Sequence, residues 1–491
     1  MDSLILTNDL EKNVDLISAN TPANYNFKVR QLILKGDIKC NVLYISGLSK
    51  KEDIEERIIY PLLFHIDCEI NNLTSPVSYI SKRYITISDT QLCSDINKIS
   101  SGLKSGKTIV LIENQNNCII CNTSTSNFKP NAQTKIEEST RGSKTSFVDI
   151  LDTNIALIQE KIKNNNVKIE KYVLGKENNS EAALVYIENT IDTEVLNKIK
   201  DKLQSLESSY VPDTGYISQF IEKSPFGLFP QTKTTEKPEK VVSDLIQGKA
   251  VILINGCSYS IVLPVVFTEF FQGFEDYSNR LFVANFDRIL RFSSIIIILL
   301  VSPIYLVLLK YNAELVPLDL IKTIVVSRKD IPLPPFLEIL LMEIIIEFLR
   351  EGGLRLPSVI GQTLSIVGGI TLGQASVEAG MVSPTTLIVV TVSVIATFVI
   401  PNYEMSLCIR LLRFYVLIMA QMLGFLGIVL ALFSIVAHLM SLESFGVPYF
   451  SPFAPLRHKD LKDSLLRFPL KSINKIPVSF KKRKVNNRND G

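Results

Sequence analysis

"FSSIIIILLVSPIYLVLL", residues 292–309, runs for eighteen positions without a charged side chain. A helix that crosses a bilayer takes roughly 20 apolar residues, and a buried helix in a soluble core seldom needs so long a charge-free run. Two further stretches share the property. "SVIGQTLSIVGGITLGQASVEAGMVSPTTLIVVTVSVIATFVI" (358–400) holds a single charge, Glu378, and "FYVLIMAQMLGFLGIVLALFSIVAHLMS" (414–441) holds none. Gly380 and Pro384 are turn signals that divide the first of these. The expectation is a membrane domain over 286–442 with spans at 292–309, 358–378, 382–400 and 414–440.

Basic residues near the ends set orientation. Arg280, Arg288 and Arg291 precede the first span, and "KKRK" (481–484) follows the last. The tail 443–491 carries 11 Lys and Arg against 4 Asp and Glu, although the whole chain has a formal net charge of only +3. Both termini are expected on the cytoplasmic side, with an even number of crossings. Arg410 and Arg413 resist this scheme, because four spans place them outside.

Between the first two spans lies "PPFLEILLMEIIIEFLREGG" (334–353), a mostly aliphatic helix that carries Glu338, Glu343, Glu347 and Glu351. At 100° per residue Glu343, Glu347 and Glu351 fall within about 80° of one another, and Glu338 points elsewhere. One acidic stripe therefore opposes a broad apolar face. Such a helix over 334–351 can lie at the interface with its stripe in water, or stand in an assembly with the stripe along a pore, where rings of Glu select cations. The four-span scheme makes it interfacial or only partly inserted. Small residues follow at Gly361, Gly368, Gly369 and Gly373, a spacing that lets helix backbones approach within or between subunits. Gly424 and Gly427 are a weaker signal of the same kind.

Residues 1–285 read differently. Short apolar strands such as "NVLYISGL" (41–48) and "AALVYIEN" (182–189) alternate with charged helical stretches such as "IDTEVLNKIKDKL" (191–203), an α/β pattern. The half also repeats itself: "VLYI" matches "LVYI", and "LKSGKTIVLI" (103–112) matches "LIQGKAVILI" (245–254). Tyr44 to Tyr186 and Gly106 to Gly248 are each 142 residues apart. Two related α/β subdomains, 1–130 and 147–285, are expected, joined by a polar linker at 131–146, with the basic tail at 443–491.

Few motifs suggest chemistry. "SGLKSGKT" (101–108) has three residues between its glycines where a phosphate-binding loop needs four, so both Gly-Lys pairs read as turns. Cys118 and Cys121 ("CIIC") sit in a strand-like run with no second pair, and His65, His438 and His458 are far apart. No catalytic constellation is visible, and neither a cofactor, a metal nor nucleic acid is called for. "KKRK" reads as a contact to anionic membrane lipid.

Several of these stretches resemble the A subunit of GerA-type spore germination receptors. The residues that carry the resemblance run from about 141 to 468: "RGSKTSFVDILDTNIALI" (141–158), "FPQTKTTEKPEKV" (229–241), "LPPFLEILLMEIIIEFLREGGLRLP" (333–357), "GQTLSIVGGITLGQASVEAGMVSP" (361–384), "IPNYEMSLCIRLLRF" (400–414) and "SFGVPYFSPFAPLRHKDLKDSLLRFP" (444–469). The resemblance implies a place in the spore inner membrane. It also implies a transporter-like B subunit that holds the nutrient, a lipoprotein C subunit, and a channel-like homo-oligomer that releases ions. It turns Glu343, Glu347 and Glu351 into pore-lining candidates. A non-conducting scaffold for the transporter-like subunit is the alternative.

Overall fold

The computed structural model describes residues 5–20, 27–67, 75–124, 137, 143–162, 166–223, 227–355, 368–369, 371–473 and 477–480. Most of the expected linker 131–146, Gly361 and the "KKRK" segment lie outside them.

The N-terminal half is a structural duplication. Strands β1 (Phe27–Leu34), β2 (Ile38–Ile45), β3 (Thr90–Cys93), β4 (Thr108–Ile112) and β5 (Cys118–Cys121) form one antiparallel sheet in the order β1-β2-β4-β5-β3. Strands β6 (Val167–Leu174), β7 (Ser180–Ile187), β8 (Lys233–Thr235), β9 (Ala250–Ile254) and β10 (Ser260–Leu263) form a second in the order β6-β7-β9-β10-β8. The 142-residue offset carries β2 onto β7, β4 onto β9, β5 onto β10, and helix α1 (Ile96–Lys104) onto a later helix over 238–246. The two-subdomain α/β reading thus has its physical basis in equal strand order, in which each sheet buries apolar side chains on both faces.

The Gly-Lys pairs close α1 and its counterpart. Gly106 and Gly248 have φ of 78° and 91°. Lys107 N donates to Gly102 O, and Gly106 N donates to Leu103 O, both at 3.0 Å. This is the glycine-terminated helix end that satisfies the last carbonyls, and it leaves no cradle for a phosphate. A second internal equivalence was not visible in the pattern of apolar residues. Asn13 accepts from Thr7 N and donates to Thr7 O, and Asn154 does the same with Val148.

Helices α2 (Thr193–Gln204) and α3 (Pro238–Ile246) belong to the second subdomain, and α4 (Leu281–Lys310) leads out of it into a helical bundle. Among the described residues α5 (Pro335–Leu354), α6 (Pro384–Thr397), α7 (Tyr403–Leu423) and α8 (Phe425–Ser441) build most of the rest of that bundle, and a short helix, Leu318–Ser327, packs on α6. Residues 368–369 and 371–378 are also helical. Among the described residues α4 and α7 are long and apolar enough to cross a membrane, and α6 and α8 are shorter apolar helices.

Three differences from the sequence-based expectation have clear causes. First, α4 starts at Leu281, so Arg288 and Arg291 lie inside it rather than flanking it. Fully buried Arg288 contacts Asp276 and Asp463, each at 2.9 Å, and Arg291 contacts Asp276 at 2.7 Å. Second, the stretch 414–440 is not one helix. Gly424, at φ 64° and ψ −139°, ends α7 and begins α8. Tyr415 Oη and Ser434 Oγ then meet at 3.0 Å across the pair, as in an antiparallel hairpin. Third, α5 packs along α4 and α6 as a member of the bundle.

Helix directions alternate. The start of α4 is fixed to the α/β half through Asp276, and Tyr311 at its far end donates to Gln421 O at 2.6 Å. Glu404 at the start of α7 accepts from Thr234 of β8 at 3.3 Å. After α8, Ser444 Oγ donates to Gln231 O at 2.7 Å, which returns the chain to the α/β half. An aromatic cluster of Phe229, Phe267, Phe271, Tyr449 and Phe450 joins that half to the bundle.

Candidate functional site: an ion-pair layer in the bundle

The four glutamates of α5 have four different environments. Glu338 is fully buried near the end of the bundle away from the α/β half. It accepts from Ser383 N and Oγ, both at 2.7 Å, and pairs with Arg328. Ser383 also accepts from Thr386 N and so caps α6. Glu338 therefore places negative charge at the positive end of that helix, which favours it.

Glu343 is fully buried as well. Its Oε2 lies 3.4 Å from Nε of Arg413, itself fully buried on α7. Beside Glu343 lies the buried hydroxyl of Ser302, on α4, and Arg413 is the one ion-pair partner of Glu343 among the described residues. Glu347, one turn on, is shared among three guanidiniums: Arg413 at 3.3 Å, Arg410 at 3.4 Å and Arg350 at 3.6 Å. Arg350 also donates to Thr397 Oγ1 at 2.8 Å, and Arg413 donates to Ser393 Oγ at 3.3 Å, which ties the layer to α6. Glu351 is exposed and pairs only with Arg355 at 2.8 Å.

The acidic stripe is thus divided within one chain. Two carboxylates, Glu343 and Glu347, meet three arginines, so the layer has one surplus positive charge. Arg413 sits ten residues into α7, about 15 Å along a helix of about 32 Å. It is deep in the bundle, not a flanking charge. Its partner is 70 residues earlier, which is why the orientation argument from Arg410 and Arg413 met resistance: their charges are consumed by α5. The signal available in the sequence was a pair of acids, Glu343 and Glu347, on one apolar helix and a pair of bases, Arg410 and Arg413, on another.

The small residues divide too. A side chain on Gly368 would touch Leu349 of α5, and one on Gly373 would touch Leu387 of α6, so both serve packing inside this chain. Gly369 has nothing within 4 Å. Cys118 and Cys121 are buried on opposite faces of β5, as a three-residue offset in a strand requires. Burial pushes both thiols up, Cys121 to about 12. Among the described residues no group of three His, Cys, Asp or Glu side chains could hold a metal.

The chain is a duplicated antiparallel α/β module fused to a helical bundle that is crossed by buried Glu–Arg pairs. The chain belongs to the GerA family: the family model described as Bacillus/Clostridium GerA spore germination protein matches residues 7–479. It is 33% identical to spore germination protein KA of Bacillus subtilis (strain 168), over 98% of this chain and 88% of that protein. It is 32% identical to spore germination protein GerLA of Bacillus cereus, over 91% of each. A crystal structure of the N-terminal domain of the A subunit of the Bacillus megaterium spore germinant receptor GerK3 resembles 54% of this chain and covers 99% of that one, at 22% identity and a TM-score of 0.42.

Proposed function

We propose that the chain is a non-enzymatic membrane subunit of a nutrient-responsive spore germination receptor, and that copies of it assemble around or gate a cation path beside α5. Its setting is the spore inner membrane, its partners a transporter-like B subunit and a lipoprotein C subunit. In this reading α4 and α7 cross the membrane within a multi-pass bundle. Both termini face the spore core.

The observation that carries this reading is the half-satisfied Glu343. A carboxylate buried in an apolar bundle with one ion pair, at 3.4 Å, is costly, and such a group is retained where it works. Release of Arg413 frees Glu343 and leaves Glu347 to Arg350 and Arg410, which opens one acid on the face of α5 that a cation path needs. Glu351 stands at the mouth, already exposed.

The test is potassium release from spores that carry Glu343→Gln with Glu347→Gln at unchanged receptor level. Altered release supports the path, and normal release removes it. The second reading, a non-conducting scaffold, draws on the surplus positive charge of the layer. It expects purified protein to leave potassium-loaded liposomes sealed.

A further inference from the structure

We infer that the corner where α2, the 443–448 hairpin and the C-terminal strap meet binds a small oxyanion, the carboxylate or phosphate of a metabolite-sized molecule. A cavity of about 330 Å³ opens there, lined among others by Lys198, Gly248, Gly446, Arg457 and Phe480. That volume suits a small ligand.

Two acids, Asp192 and Glu194, and two cations, Lys198 and Arg457, line it, and neither cation is in an ion pair among the described residues. The bundle arginines 288, 291, 328, 350, 410 and 413 each contact a carboxylate. Arg457 is half-buried, and neither it nor Lys198 has an ion pair or a side-chain hydrogen bond among the described residues. Gly446, at φ 91°, makes room for the second cation: a Cβ there would stand 2.6 Å from Lys198 Nζ. The same cavity receives the start of α2, whose partial positive charge favours an anion. Asp192 is committed to that helix as its cap, accepting from Glu194 N at 2.9 Å.

The duplication marks this corner as special to the second subdomain. At the equivalent Gly106, Leu48 O and the Ser124 side chain fill the space from within the same subdomain. At Gly248 Thr190 O takes the place of Leu48 O, but the second wall comes from Phe480 O near the far end of the chain. Val478 N, Ser479 N and Ser479 Oγ all donate to the Asp460 carboxylate, at 2.8, 2.9 and 2.7 Å. This holds Phe480 in place, 4% exposed, with its ring centroid 4.8 Å from Lys249 Nζ. An oxyanion bridging Lys198 and Arg457 would pin this strap to α2.

The test uses the full chain in phosphatidylcholine nanodiscs with inorganic phosphate and succinate as probes. Binding is followed by calorimetry, and strap release by chymotrypsin cleavage after Phe480. The expected result is saturable binding of at least one probe, weakened about tenfold or more in Arg457→Gln and in Lys198→Gln, as loss of a charge-assisted hydrogen bond implies. The bound probe should slow cleavage in the parent chain and not in Arg457→Gln. Nanodiscs containing phosphatidylglycerol separate the sources: loss of phosphate binding there assigns the site to a lipid headgroup, and unchanged binding assigns it to a soluble anion. No saturable binding of either probe, or equal binding by folded Arg457→Gln as judged by its melting curve, overturns the site. Potassium release does not enter any of these readouts, so failure here is distinct from failure of the cation path.

Discussion

Replacing Arg413 with Met should destabilise the bundle more than any other single truncation in it. Arg413 is fully buried, 3.4 Å from Glu343 and 3.3 Å from Glu347. At an effective dielectric of about 20, one contact at 3.4 Å is worth about 5 kcal/mol before desolvation. Glu347 keeps Arg350 and Arg410 after the substitution. Glu343 loses its one ion pair among the described residues, and breaking one side of a buried pair typically costs about 3–5 kcal/mol. Adding Glu343→Gln should recover most of that loss, because the unpaired charge disappears. The assay is a double-mutant cycle on the full chain in detergent, with thermal or denaturant unfolding followed by circular dichroism. A coupling of about 2 kcal/mol or more is expected, within the range seen for residues in direct contact. If Arg413→Met melts with the parent chain, or the two substitutions simply add, the ion-pair layer does not hold α5 to α7.

Gly424→Val forces a β-branched residue into φ 64°, ψ −139°, and should cost about 1–3 kcal/mol and loosen the α7–α8 hairpin, read as loss of a cysteine crosslink between positions 415 and 434. Lys249→Met strands Asp244 and Glu269, now 2.6 and 2.8 Å from the ammonium, and should cost about 3–5 kcal/mol in urea unfolding. Burial alone would raise the Asp244 carboxyl, but Lys249 and Lys233 hold it below the ordinary aspartate range. Its contribution is therefore complete above the unfolded aspartate pKa of about 3.9 and is lost as pH falls through the lower folded value. An acid titration of stability should show this loss in the parent chain and not in Asp244→Asn. Asn154→Ala removes two hydrogen bonds to Val148 and should cost about 1–2 kcal/mol, as should Asn13→Ala at the equivalent site.

The duplication was legible because strand order follows local pattern. "TIVLI" and "AVILI" are the same central strand at the same offset, and each is preceded by a glycine that ends a helix. The bundle was legible as composition but not as connectivity. An apolar run that contains Gly424 reads as one helix, since only the sign of φ reveals the reversal. The α5 stripe was legible as spacing, and its neutralisation was not, because Arg410 and Arg413 reach it from some 60–70 residues away. The structure packs 334–351, expected as interfacial or only partly inserted, into the bundle as α5, and divides 414–440 at Gly424.

The strap at Phe480 has a consequence for how the protein is made. The core of the second α/β subdomain includes Val447 and Phe480, yet its central strands are complete by Leu263. At roughly 5–20 residues per second, a ribosome needs about 10–40 seconds to supply the last of these pieces. Through that interval the core positions that Val447 and Phe480 fill stay open. Nascent chains halted before residue 443 should therefore be chaperone clients.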